Sequence, residues 1–245
     1  MRSRIVSKAH TSIIAVPLLM LALSSCATNS TAPGHSAPVS VGAGASARVD
    51  DMRATELLMS LDQSAVANIV FQNTTDLGNR SAAVVVGVVN RWLAGDTVRT
   101  VEGVDVGAAI LAEITITSVT QAQNGVSLRP GDVIYVPTIS PSMNPVEVAE
   151  VLPENLEVVA YLDNALTEEE LRVSKAYTVE PGDKEAAGLP RWPLQSPQGF
   201  VVTNPDDPRI QLWPFLGAQA EGPLEDALPG GSLDGLTPEQ RKLGI

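Results

Sequence analysis

Between residues 110 and 119 apolar and polar positions alternate. Ile110, Ala112, Ile114 and Ile116 share one parity, and Leu111, Glu113, Thr115, Thr117 and Val119 the other. A period of two sends successive side chains to opposite faces of a sheet, so this segment predicts a strand with one drier face. Residues 82–89 predict another on composition, with five valines in eight positions. Gly87 inside that run marks a bulge or sharp bend, the device small barrels use at their corners. Shorter strands are expected over 97–102, 133–136, 156–162, 177–179, 199–202 and 210–215. Pro137 is expected to end the strand at 133–136.

Turn chemistry separates these runs. Asn124-Gly125 is a hairpin-type pair. In Arg129-Pro130-Gly131-Asp132, proline presets φ and glycine takes the positive φ that a type II turn requires. Helix is sparse. Asp50 or Asp51 is placed to cap a short helix reaching about residue 63, with Leu57, Leu58 and Leu61 on its buried side. Residues 65–71 form a short apolar run, and 167–171 an acidic helical turn capped by Thr167. Many short strands and little helix predict a mainly β fold, a small closed or partly open β-barrel over residues 51–216. Residues 217–245 turn to Gly, Pro, Leu and acids without period and predict a largely disordered tail, with a helical turn near 237–243. No repeat of fixed period is present.

The first fifty residues read differently. Arg2, Arg4 and Lys8 form a basic start, and residues 13–23 are an apolar run interrupted only by Pro17. The run is too short to span a bilayer core of about 30 Å, so it predicts a secretory signal. Leu23-Ser24-Ser25-Cys26 follows and resembles the lipobox of bacterial lipoproteins. The resemblance implies cleavage after residue 25, a diacylglyceryl thioether on Cys26, and a cell-membrane, lipid-anchored protein facing the extracytoplasmic side. Two or more acyl chains make a stable anchor where one is marginal. Residues 27–47 are nearly all Ala, Thr, Ser, Gly and Pro, and predict a flexible tether within 26–50. The small-residue, Pro-rich style suggests an actinobacterial envelope.

Charge and missing chemistry narrow the function. The 16 basic and 28 acidic residues give a formal charge of −12. Without the three leader cations, thirteen basic residues remain and the charge becomes −15. So acidic a chain repels phosphate backbones, and nucleic-acid binding is rejected. The single cysteine leaves no intrachain disulfide. The two histidines are His10 and His35, one in the leader and one in the tether, so residues 51–216 lack both His and Cys. Serine and cysteine nucleophile systems that need histidine are excluded there, as are the usual zinc sites. Lys175, Lys184 and Lys242 lack the S-x-x-K spacing, and the glycines at 42, 44, 103 and 107 lack a phosphate-loop pattern. No cofactor or metal is expected. Asn204, Asp206 and Asp207 carry oxygen ligands suited to calcium, but their spacing fits no EF-hand and a proline-bounded turn explains them. Trp92, Trp192 and Trp213 are candidate binding residues, as stacking platforms for sugars, against a packing role.

Two further resemblances rest on strand segments. Val84-Val85-Val86-Gly87-Val88-Val89, the strand at 110–119, Pro130 to Val136, Val159-Ala160-Tyr161-Leu162 and Gln198-Gly199-Phe200-Val201 occur in an order that resembles a group of uncharacterised actinobacterial exported proteins with an OB-like barrel. That likeness implies a fold and no activity. Separately, Leu128-Arg129-Pro130-Gly131-Asp132-Val133-Ile134-Tyr135-Val136-Pro137 is similar to the end of a soluble-ligand-binding β-grasp repeat in polysaccharide export lipoproteins. The segment that precedes it in that family is missing, as is a second repeat. The leading expectation is a non-enzymatic, monomeric binding module for an envelope protein or glycan. An accessory of polysaccharide export comes second, and a glycan hydrolase using two carboxylates third.

Overall fold

The computed structural model describes residues 53–61, 71–100, 103, 105–140, 144–167, 170, 177–180 and 182–232. The leader, Cys26, the tether, the Asp50/Asp51 cap and the 237–243 turn lie outside the described residues. So does most of 65–71. All the described residues belong to one unit, Ala43–Ile245.

The chain is mainly β; its described residues include the short helices α1 (Ala54–Met59), α2 (Thr74–Arg80) and α3 (Pro145–Val151). Its strands are β1 (Ala83–Thr100), β2 (Asp105–Ala122), β3 (Val133–Ser140), β4 (Leu156–Leu162), β5 (Tyr177–Glu180), β6 (Phe200–Thr203), β7 (Ile210–Trp213) and β8 (Ala218–Glu221). Every strand pairing is antiparallel, in the order β3-β2-β1-β4-β6-β7-β8, with β5 paired to the far end of β1. Among the described residues no helix is long and apolar enough to cross a membrane.

The strands expected at 82–89 and 97–102 are one strand of 18 residues. No proline interrupts residues 90–96, and bulges absorb the irregular pattern. The β1–β2 register shifts at five places, one of them between Val86 and Gly87. The expected bulge is therefore present. Its glycine is required by contact, since a Cβ there would stand 2.6 Å from both Ile114 Cγ2 and the Thr115 carbonyl.

β3 runs through Pro137 instead of stopping there, because β3 is an edge strand. Pro137 sits opposite Leu111, and a residue without N–H is tolerated where its missing donor would face away from the ladder. The closed-barrel expectation is corrected: the sheet is open, ending at β3 and β8. Among the described residues no strand covers the outer side of β3. An irregular segment does, through isolated bridges of Arg191 to Tyr135 and to Leu166.

One face of the sheet holds the main core. Ile110, Ala112, Ile114 and Ile116 lie there as expected, with Val85, Val158, Phe200 and Leu212. Leu57, Leu58 and Leu61 cover it, as do Val148, Leu152 and Phe215. The predicted buried leucines are therefore in place, although α1 starts after Arg53 and stops at Met59. The other face is covered in part by a second cluster, where Phe71, Leu77, Leu216, Leu224 and Ala227 pack on Val84, Val159, Tyr161 and Trp213. Fully burying such a side chain contributes about 1.5–3 kcal/mol. This second cover extends the fold past residue 216. β8 pairs with β7, a turn of 3₁₀ helix spans Leu224–Ala227, and the Tyr161 hydroxyl donates to the Ala227 carbonyl at 2.7 Å. The alternation in Ala218-Gln219-Ala220-Glu221 is too brief and too small in volume to announce a strand by itself.

Candidate functional site

The three tryptophans do not share a groove. Trp92 is 4% exposed, lies 6.2 Å from the Phe200 ring and donates its indole N–H to the Pro153 carbonyl at 2.9 Å. Trp213 is fully buried beneath the second cover. Their neighbours on β1 and β7 fix this, since those strands are covered on both faces. Trp192 alone is half-buried, on the rim of a cleft.

Asn204 and Asp206 meet at the Thr55 hydroxyl, while Asp207 turns away to Arg209. Asn204 Oδ1 accepts the Asp206 N–H at 2.8 Å, and the Thr55 hydroxyl lies 2.6 Å from both Asn204 Oδ1 and Asp206 Oδ2. That hydroxyl has one proton, so it serves one of the two oxygens at a time. Asp207 turns to Arg209, accepting from Nε at 3.0 Å and Nη2 at 2.7 Å. These hydrogen bonds hold the Asp207 carboxyl down at about 2. Among the described residues no group of three or more His, Cys, Asp or Glu is placed to hold a metal.

The Trp192 cleft encloses about 250 Å³. Leu128, Asp132, Val133, Ile134 and Tyr135 form one wall, and Leu189, Pro190 and Trp192 the other. The first wall is shaped by the expected turn. Gly131 has φ 93°, the Arg129 N–H donates to Asp132 Oδ2 at 2.8 Å, and the Gly131 N–H reaches the Ile116 carbonyl. Gly125 also takes positive φ, but Asn124-Gly125 does not close a tight hairpin, because β2 and β3 are joined by the whole of 123–132. The second wall is held by Arg191, which is 4% exposed. Its Nη1 donates to the carbonyls of Ala186 at 2.7 Å and Leu189 at 3.0 Å. Nε and Nη2 face the Asp96 carboxylate at 3.4 and 3.5 Å, and the guanidinium lies 6.0 Å from the centre of the Tyr135 ring. The Trp192 N–H closes the wall onto the Tyr135 carbonyl at 2.9 Å. The cleft is thus rigid on both sides, yet Val133 at 48% and Leu189 at 40% remain exposed at its mouth.

Beneath Tyr135 lies a polar network. Arg91 and Glu113 are opposite each other in the β1–β2 register, and Glu113 Oε2 accepts from Arg91 Nε at 3.1 Å and Nη2 at 2.9 Å. Asn90 and the Tyr135 hydroxyl each donate to Glu113 at 3.3 Å, and Arg91 also reaches Glu185 at 2.5 Å. Burial pushes the Glu113 carboxyl up, but the hydrogen bonds from Arg91, Asn90 and Tyr135, with the Arg91 charge, outweigh it and leave it below its ordinary value. Burial first, then the Glu113 charge, pushes the Tyr135 phenol up. The result is a fixed anion tied to its cation, the reverse of the raised carboxyl a general acid needs.

Sequence reasoning found Trp192 and the 128–137 segment but not Arg191, Asp96 or the Glu113–Arg91 pair. A single arginine in an irregular loop carries no periodic signal. Glu113 shares the parity of Thr115 and Thr117, and nothing local marks it as the partner of Arg91. Comparison of the chain with known protein families, with curated proteins and with solved structures returns no match.

Proposed function

We propose that this protein is a membrane-anchored envelope lipoprotein, held by lipid on Cys26, whose β domain binds another envelope component through the Trp192 cleft without chemical turnover. One observation carries the reading: Val133 and Leu189 stay exposed beside a half-buried Trp192, on walls that Arg191 and the 129–132 turn hold rigid. Exposed apolar side chains around a preformed cavity are what a recognition site needs, because burying them on binding releases water without a cost of rearrangement. The OB-like architecture of the sequence resemblance accords with such a role. The Glu113 carboxylate supports a non-enzymatic reading, being already engaged with Arg91, Asn90 and Tyr135.

Two measurements test this. Cys26→Ala is expected to abolish lipid labelling and move the protein from the membrane to the soluble fraction; unchanged retention overturns the anchor. The lipidated full chain is then incubated separately with purified cell-wall glycan and with detergent-solubilised membrane proteins. Retention on one of them is expected to fall at least tenfold with Trp192→Ala, and equal retention by the variant removes the cleft from the binding site.

The export-accessory reading has one observation in its favour: the residues similar to the β-grasp segment, Leu128 and Asp132 to Tyr135, line this same cleft. It requires ring-sized oligomers in detergent.

A further inference from the structure

Several asparagine side chains are tied into the fold. Asn73 and Asn144 cap α2 and α3, accepting from the N–H groups of Asp76 and Val146. Asn204 accepts from the Asp206 N–H, and Asn90 donates to the Thr115 hydroxyl at 2.8 Å. Asn124 differs: it is exposed, and its side chain has no hydrogen-bond partner among the described residues. It stands with Gly125 in the connection between β2 and β3, where the Val126 N–H donates to the Gln123 carbonyl at 3.1 Å. Gly125 has φ 99°, while Asn124 is not among the described residues of positive φ, which is the sign pattern of a type II turn. The Gly125 N–H has no partner among the described residues, and a Cβ on Gly125 would meet nothing within 4 Å.

An asparagine followed by an unhindered, unbonded amide can react with it. The Gly125 nitrogen loses its proton and attacks Asn124 Cγ. The N–Cγ bond forms, the Cγ–Nδ2 bond breaks, and the side-chain amide leaves as ammonia, taking up a proton. The product is a succinimide ring, which water opens at either carbonyl. Opening at Cγ gives aspartate. Opening at the main-chain carbonyl gives isoaspartate, in which the chain runs through the former side chain and is longer by a methylene. Water is the sole co-reactant, and nothing is oxidised or reduced. The other asparagines lack these conditions. Asn144 and Asn204 precede prolines, which have no N–H to lose. Asn79 lies within α2, and Asn155 is followed by Leu156, which is seated in the main core. Asn124 is the one asparagine in the chain that precedes a glycine.

We infer that Asn124 is a self-modification site, at which the folded chain converts its own amide to isoaspartate and aspartate with water alone and gains a negative charge. The turn confines the change to its tip. On one side the Gln123 N–H donates to the Ala82 carbonyl at 2.8 Å, and Gln123 Nε2 to the Ser81 carbonyl at 2.9 Å. On the other side Val126 and Leu128 pack against the main core. Leu128 lines the Trp192 cleft, so the added charge and methylene enter the chain just before that wall. The inference does not depend on what the cleft binds.

The full chain in detergent is incubated in mildly acidic and mildly alkaline buffer, with a parallel sample unfolded in urea. After digestion, chromatography with mass spectrometry separates the amide, aspartate and isoaspartate forms of each asparagine peptide. In the folded chain Asn124 is expected to lose its amide first, to give isoaspartate as well as aspartate, and to react faster in alkali, because the attacking nitrogen must lose its proton. Asn73, Asn90 and Asn204 are expected to keep their amides. Asn124→Gln should abolish the product, since its ring would need a further atom. Gly125→Ala should slow it in urea as well as in the fold, because the added methyl crowds the attacking nitrogen; the urea sample separates this from any change in the turn. The inference is overturned if Asn124 keeps its amide in the folded chain while losing it in urea, which would mean that the turn holds it in an unreactive geometry. It is overturned also if aspartate forms without isoaspartate, or if Gly125→Ala reacts as fast as the parent in urea, either of which would mean direct hydrolysis without the ring.

Discussion

Replacing Arg191 with methionine removes the group that holds the outer wall of the Trp192 cleft while keeping most of its hydrocarbon volume. The Arg191 side chain is 5% exposed and its Asp96 partner 16%. The substitution leaves the carbonyls of Ala186 and Leu189 without their charged donor and leaves Asp96 without its counter-ion. Breaking a buried ion pair from one side costs about 3–5 kcal/mol. Asp96 keeps part of its hydration and its contacts with the guanidinium are long, so the lower end applies, about 3 kcal/mol. At about 2–4 °C per kcal/mol for a chain of this size, Tm should fall by roughly 6–12 °C. Urea unfolding of the full chain supplies the assay: the midpoint should drop at unchanged slope, since the surface exposed on unfolding is the same. A cycle with Asp96→Asn should give a coupling of about 1 kcal/mol. Trp192 emission should shift to the red in the variant, because its wall loses its tie while Trp92 and Trp213 stay in the core. A stability loss below about 1 kcal/mol, or a methionine variant more stable than the parent as some buried-pair replacements are, would refute the argument that Arg191 organises this wall.

Gly87→Ala should destabilise by about 1–3 kcal/mol, the usual cost of overpacking, because its Cβ would stand 2.6 Å from Ile114 Cγ2 and the Thr115 carbonyl; an unchanged urea midpoint would show that β2 yields. Glu113→Gln should flatten the acid limb of the stability curve. The folded Glu113 value lies below the unfolded one of roughly 4.3, so its contribution is present above that value and is lost as pH falls through the folded value; acid unfolding of parent and variant between about pH 5 and 3 compares them. The chain should be monomeric in native mass spectrometry at low and high salt. Its open sheet has two edges, but β3 carries Pro137 and the Trp192 crossing, and β8 has only four residues ending in Glu221; a dominant ring-sized oligomer would favour the export reading.

The strands and turns were legible because each rests on a local rule. The alternation at 110–119, the valine run at 82–89, the bounds 156–162 and the positive-φ glycines Gly125 and Gly131 all report backbone geometry to neighbours one or two residues away. The helices α2 and α3 were not, since each turns a single large apolar side chain to the core, Leu77 in α2 and Val148 in α3. Nor was the joining of two expected strands into β1, because bulges shift the parity that marks a face. Half of the candidate site was legible: the 128–137 wall and Trp192, but not Arg191, whose partners Ala186 and Asp96 are five and 95 residues away. Whether a strand residue is half-buried or sealed depends on what lies over the second face. Those covers come from far along the chain: Phe71 is tied to Gln198 at a separation of 127 residues, and Tyr161 to Ala227 at 66. The period-two pleat is enough to mark which positions can make strands and one dry face. That Trp92 and Trp213 are core, that Trp192 is not, and that the sheet stays open are properties of distant segments meeting, which no local pattern records.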